Sequence, residues 1–173
     1  MKTYNNMSNP TLTNHNSIFV IYLGGKHTQA NIEVHDLVFT TGNCLEDCYD
    51  YCRSKWFGQG TPHIDGYFQI DTSNSTEIPS SNKSSNKLFC LNFGGELKGQ
   101  LAEMHEFILT LAPTKGTAIS QAKKQLQLSF NDLHLDNCFE IDDIIDVSAE
   151  IELQVNLDTL EDRVKLANCY IKL

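Results

Sequence analysis

No apolar run in this chain is long enough for a membrane helix. The stretch Ile18 to Leu23 is the most apolar block and is far shorter than the eighteen or so residues that a bilayer demands. Positive charge is also scarce: 13 Lys+Arg stand against 22 Asp+Glu, a formal charge of −9, and no basic cluster interrupts the acidic background. Such a surface repels a phosphate backbone, which excludes nucleic acid from the expected partners. The first sixteen residues, MKTYNNMSNPTLTNHN, lack the apolar centre of a signal peptide and read as a disordered leader. Six cysteines in 173 residues are sparse and include no CxxC pair, so the expectation is reduced thiols in a cytoplasmic protein. The glycine pairs lack the GxGxxG or GxxxxGK[ST] spacing of a phosphate cradle. Hydrophobic residues make up 40% and aromatics 9% of the chain, enough for a packed core in one domain or two very small ones.

What is present is a repeat. FVIYLGG at 19–25 recurs as FCLNFGG at 89–95, and NIEVHDLVF at 31–39 recurs as LAEMHEFIL at 101–109, both at an offset of seventy. Further on, HIDGYFQID at 63–71 matches HLDNCFEID at 134–142 at an offset of seventy-one. Blocks that match in order at near-constant spacing indicate a tandem duplication. Between the copies, TSNSTEIPSSNKSSNK (72–87) is Ser/Asn-rich and reads as a flexible linker, with a root-mean-square span of roughly 20–24 Å.

Each copy reads as strand, strand, helix, strand. The first strands, 18–23 and 88–93, are continuous apolar runs suited to central positions, each ended by a glycine pair that opens a loop. The second strands (near 32–41 and 102–111) alternate, and helices follow near 45–57 and 115–127. The third strands, about 64–71 and 135–142, place Ile64, Phe68 and Ile70 on one face, mirrored by Leu135, Phe139 and Ile141. The expected fold class is α+β: repeats at 17–71 and 88–146 related by a pseudo-twofold axis, plus a C-terminal β extension at 147–173 that packs on the repeats and covers a sheet edge.

CLEDCYDYC puts Cys44, Cys48 and Cys52 on one helical stripe, which would suit a thiolate site or a redox pair. The repeat decides otherwise. Cys48 falls on Ala118, Cys52 on Ala122 and Trp56 on Leu126, so the size pattern is kept and the sulfur is not; these are small core residues. Cys44 falls on Thr114, at a helix-capping position. Cys90 and Cys138 fall on Val20 and Tyr67.

The duplicated Glu-x-His carries the candidate chemistry. Side chains alternate along a strand, so Glu33, His35, Leu37 and Phe39 share a face, as do Glu103, His105, Phe107 and Leu109. Charged groups at the rim of a core face are costly unless paired or bound to something. Three readings stay open. The pairs lock the Gly-Gly turn; or they bind a small molecule, with Glu33, His35, Glu103, His105 and the glycines Gly24, Gly25, Gly94 and Gly95 as the ligand-binding set; or they ligate a divalent metal with help from His63 and Asp65, or His134 and Asp136. The last four sit opposite Ile64 and Phe68 in this register, where they could equally be solvated. No nucleophile is repeated beside the pairs, and Lys26 and His27 become Glu96 and Leu97. No catalytic residue is therefore assigned, and no cofactor is specified.

The blocks FVIYLGG, ANIEVHDLVF, KWFG and HIDGYFQID resemble a small bacterial family of domains of unknown function, family 1543, whose domain occurs in one or two copies per chain. The likeness covers Ile18 to Asp71 well and the second copy more loosely, where Lys55-Trp56-Phe57-Gly58 has become Gln125-Leu126-Gln127-Leu128. It implies a bacterial cytoplasmic protein and supplies no activity. The leading expectation is a protein that binds a small molecule or metal. The competing one is a non-catalytic interaction or assembly module, such as a homo-oligomer, with structural Glu-x-His pairs.

Overall fold

The computed structural model describes residues 17–73, 75–77, 86–96, 99–129, 139–153 and 155–173. The N-terminal sixteen residues, His134, Asp136, Cys138 and most of the 72–87 linker lie outside them. Among the described residues no helix is long and apolar enough to cross a membrane. Among the described residues, a four-stranded and a three-stranded antiparallel sheet, one two-stranded pair and several helices make an α+β chain that divides into two compact units.

In the first unit, β1 (Ser17–Lys26) pairs antiparallel with β2 (Val34–Gly42) on one side and with β3 (Gln59–Asp71) on the other. A 3-10 turn (Leu45–Cys48) and α1 (Tyr49–Lys55) connect β2 to β3. Residues of β1 are buried on both faces, which explains the unbroken apolar run FVIYL. Phe19, Ile21 and Leu23 point to the helix side, where they pack with Val38, Leu45, Cys48, Cys52 and Ile64. Ile18 and Val20 are buried on the other face. After a short strand β4 (Thr76–Glu77), the second unit repeats the plan: β5 (Lys87–Gly95) lies between β6 (Met104–Ala112) and β7 (Phe139–Asp146), with α2 (Lys115–Ser129) after β6. Its helix-side core is Phe89, Leu91, Phe93, Ile108, Ala112, Ala118, Ala122 and Leu126. Cys48 and Cys52 thus occupy the places of Ala118 and Ala122.

Past β7 come α3 (Val147–Glu150), β8 (Val155–Asn156), which pairs with β4, and β9 (Val164–Lys172). β9 runs antiparallel along β3 and completes a four-stranded sheet of order β2-β1-β3-β9.

Three local expectations are corrected. The glycine pairs do not open loops: Gly24-Gly25 and Gly94-Gly95 are still paired within β1 and β5. Ile64 and Phe68 do not share a face, because a register shift leaves Asp65 as an extra residue between Ile64, opposite Leu23, and Gly66, opposite Tyr22. This β-bulge inverts the alternation on either side of it. Third, the described strand of the second unit is Phe139–Asp146 and continues past 142, while residues 135–138 of the expected strand lie outside the described residues. Ile141 sits opposite Phe93 as Ile64 sits opposite Leu23, with an equivalent bulge at Asp142. The structural mate of His-Ile-Asp-Gly (63–66) is therefore Glu-Ile-Asp-Asp (140–143). The sequence match to 134–142 is displaced from this by six residues, an even number that keeps the apolar alternation in phase and so leaves both registers equally attractive on pattern alone.

Cys44 is exposed, starts the 3-10 turn without a side-chain capping bond, and leaves that task to Asp47, whose carboxylate accepts from the Asn43 N–H at 2.9 Å. Thr114 does cap its helix, accepting from the Thr117 N–H at 3.2 Å. The buried thiols are governed by burial. Burial pushes Cys52 and Cys90 up from an ordinary value near 9 to about 12, and burial together with the neighbouring Cys52 raises Cys48 as well. In the unfolded chain these thiols ionise near 9, so their contribution to stability is complete below that pH and is lost as pH climbs toward 12. Iodoacetamide at pH 8 followed by mass mapping should label Cys44 in the folded protein and leave Cys48, Cys52 and Cys90 until it unfolds. Labelling of Cys48 as fast as Cys44 would contradict the buried stripe.

Candidate functional site

On the face of β1 away from the helix, Gly24 stands directly between His35 of β2 and His63 of β3. Strands flanking a central one are roughly 10 Å apart, so opposed side chains normally cannot meet across it. Here they can, because the middle residue has no side chain. A Cβ on Gly24 would lie 2.6 Å from Asp65 Oδ2, 2.6 Å from His63 Nε2 and 2.9 Å from His35 Cδ2. Asp65, two residues along β3 from His63, lies on the same face by the ordinary alternation of a strand. Glu33, immediately before β2, completes the group. The other glycine serves the opposite face: a Cβ on Gly25 would meet the Trp56 ring at 2.7 Å.

His35 Nε2 lies 3.1 Å from Asp65 Oδ2, and His63 Nε2 lies 3.3 Å from Asp65 Oδ1 and 3.8 Å from Glu33 Oε2. One donor atom from each of Glu33, His35 and His63 falls in a single cluster within 4.8 Å. His63 is buried although the sequence left it open to solvent, while Glu33 is half exposed. Two aromatic rings frame the imidazoles. Tyr22 stacks on His35 with centroids 4.8 Å apart and planes 6° from parallel, and Tyr170 of β9 lies 4.6 Å from the His63 ring.

The second unit rebuilds the arrangement. Gly94 pairs with His105 and with Glu140, the counterpart of His63. Glu103, His105 and Asp142 bring donor atoms within 4.8 Å of one another, with His105 Nδ1 3.4 Å from Asp142 Oδ2. A Cβ on Gly94 would collide with Asp142 Oδ2 and lie 2.6 Å from Glu103 Oε1. This cluster is more open: all three residues are exposed. Glu140 is exposed too, and Tyr22 is replaced by Asn92, whose Oδ1 is buried without a hydrogen-bond partner.

Of the sequence candidates, Glu33, His35, His63 and Asp65 come together over Gly24, and Glu103 and His105 over Gly94. Gly25 faces the helix side, and Gly95 ends β5 opposite Met104 and Phe139. Asp142 was missed, and the signal that could have found it is the Ile-Asp dipeptide shared by 64–65 and 141–142. Tyr22 and Tyr170 were missed as well.

Ligands about 2.0–2.1 Å from a tetrahedral ion lie roughly 3.3–3.4 Å from each other. The His63–Asp65 and His105–Asp142 separations of 3.3 and 3.4 Å match this and exceed the range of about 2.7–3.2 Å for a good N–H···O hydrogen bond, and His63–Glu33 is longer at 3.8 Å. Only His35–Asp65 falls inside that range. Imidazole nitrogen with carboxylate oxygen is a donor set for a divalent transition ion.

The model of a family described as Domain of Unknown Function (DUF1543) matches residues 30–78 and 100–151, and the chain belongs to that family. The two matched segments contain every acid and histidine of the two clusters. The chain is also similar to a solved structure, the crystal structure of a protein Il1583 from Idiomarina loihiensis, with 22% identity and a TM-score of 0.52 over 91% of this chain and 97% of that one. At this identity the likeness shows a shared fold. No curated protein matches the chain.

Adding a methyl at either cluster glycine forces its side chains apart. Gly24→Ala and Gly94→Ala should each lower stability by about 1–3 kcal/mol in urea unfolding. Gly116→Ala is the control: it lies in α2 with its nearest neighbour 3.9 Å from a Cβ, and should raise stability by about 0.5–1 kcal/mol. Unchanged stability in Gly24→Ala would show that the side chains do not converge over it.

Proposed function

We propose that this member of the DUF1543 family is a divalent-metal-binding protein with one site per repeat: Glu33, His35 and His63 with Asp65 alongside, and Glu103, His105 and Asp142. One observation carries the reading. In each repeat a Glu-x-His and a carboxylate at the bulge, Asp65 or Asp142, gather over a bare glycine, and three donor groups come within 4.8 Å of one another. A lock made only of hydrogen bonds would not need two acids and two imidazoles crowded over Gly24, since one pair would suffice. Asp65, beside both imidazoles, either ligates directly or accepts from a ring N–H and fixes the ring orientation. No catalytic role is assigned, because an ion in these sites could serve structure, storage or transport equally well.

The competing reading is an interaction module with structural pairs. It is favoured by the exposed Ile32 and Leu101, which flank the two Glu-x-His segments.

A thermal-shift panel separates the two readings. An ion that binds only the folded chain, at about 100 times its dissociation constant, adds about 2.7 kcal/mol. The expected result is a clear rise in Tm with Zn2+, Co2+ or Mn2+ that disappears in the His35→Ala/His105→Ala protein. If no divalent ion or small metabolite shifts the wild type while the double mutant melts well below it, the pairs are architecture and the metal reading fails.

A further inference from the structure

The two clusters share a backbone plan and differ in chemistry at one register position. Opposite Gly24 stands His63, and opposite Gly94 stands Glu140. The first cluster offers two imidazoles and two carboxylates, one imidazole being almost fully buried. The second offers one imidazole and two carboxylates, all exposed, with a third carboxylate at the matching position. On the same face as Gly94, two residues back along β5, the Asn92 Oδ1 is buried and unpartnered. In the first unit that position is Tyr22, packed flat on His35.

Building on the metal-binding reading above, we propose that the two sites are tuned to different ions. The first takes a borderline, nitrogen-preferring ion of the zinc class, and the second takes a harder, oxygen-preferring ion of the manganese or magnesium class, with the residue opposite the cluster glycine as the selector. Imidazole favours zinc, nickel and copper, whereas carboxylate, carbonyl and water suit magnesium and manganese. Exchanging an imidazole for a carboxylate also raises the negative charge of the ligand set, which holds a hard ion more by electrostatics than by covalency. Exposure works in the same direction, because hard ions dehydrate reluctantly and keep several waters. The open second site leaves room for them. At the first site Tyr22 and Tyr170 lie against the imidazoles and His63 is buried, so it is less open than the second although Glu33 and His35 are exposed there too.

The test uses the full chain, stripped with a chelator, in two single-site forms: His105→Ala to keep the first site and His35→Ala to keep the second. Zn2+ and Mn2+ are titrated into each by calorimetry. All N/O sites favour zinc to some degree, so the quantity read is the ratio of the two affinities. That ratio should be greater at the first site by about tenfold or more. His63→Glu should lower it in the His105→Ala background, and Glu140→His should raise it in the His35→Ala background. As a readout that does not depend on stability of the variants, Cu2+ loaded at one equivalent into each single-site chain should show nitrogen superhyperfine coupling from two imidazoles in the first and one in the second. Equal ratios at the two sites, or ratios untouched by both exchanges, would overturn the selectivity proposal and leave metal binding intact. Absence of binding by either single-site chain would overturn both.

Discussion

The site depends on a side chain that is not there. Three adjacent antiparallel strands present opposed residues in a row, and their outer members are held roughly 10 Å apart by backbone spacing. Functional groups on the outer strands can converge only by leaning over the middle strand, and any Cβ on that strand blocks them. Gly24 and Gly94 remove the obstacle, and Asp65 and Asp142, two residues along from His63 and Glu140, add a carboxylate on the same face. A glycine in a strand interior costs about 0.5–1 kcal/mol relative to alanine. The fold bears that cost at the same place in both units, where it gains a cluster of donors.

The adjacent glycine shows how tightly the two faces of the sheet are coupled. Gly24 gives space to the acid–imidazole cluster, while Gly25, one residue on, gives space to the Trp56 ring on the helix side. The end of β1 is therefore stripped on both faces for different reasons. Trp56 packs on a core in which Cys48 and Cys52 stand where the second unit has Ala118 and Ala122. Sulfur there fills volume: burial holds these thiols protonated far above neutral pH.

Much of this was legible in the sequence because duplication provides its own control. Residues 19–25 and 31–39 map onto 89–95 and 101–109 at a fixed offset, and the paired strands keep it: Gly24 meets His35 as Gly94 meets His105. The third strand was not legible at the same level. Strand patterning specifies a register only modulo two, so a slip of six residues costs nothing in pattern, and His134 and Asp136 took the place that belongs to Glu140 and Asp142. The bulges were invisible for a related reason, since one unpaired residue inverts the alternation without changing composition. That inversion placed Ile64 with the helix-side core and His63 with the cluster. Tyr170 could not have been anticipated from local pattern, since its position beside His63 follows from pairing between distant segments.

That pairing sets an order of events. β9 completes the sheet of the first unit, yet it is the last strand in the chain: the contact of the Cys169 thiol with the Ile64 carbonyl spans 105 residues. During synthesis, β1, β2 and β3 emerge early with one edge of β3 unsatisfied, and the whole second repeat must follow before the covering strand exists. Closing so long a loop carries an entropic penalty that local hairpins avoid, and long-range strand pairing of this kind slows folding. Until then His63 lacks the aromatic ring of Tyr170, so the first cluster is complete only once residues 164–172 have been made, whereas the second unit's three-stranded sheet and its cluster are assembled from residues 87–146 alone. The repeat translated second is thus the one able to mature first.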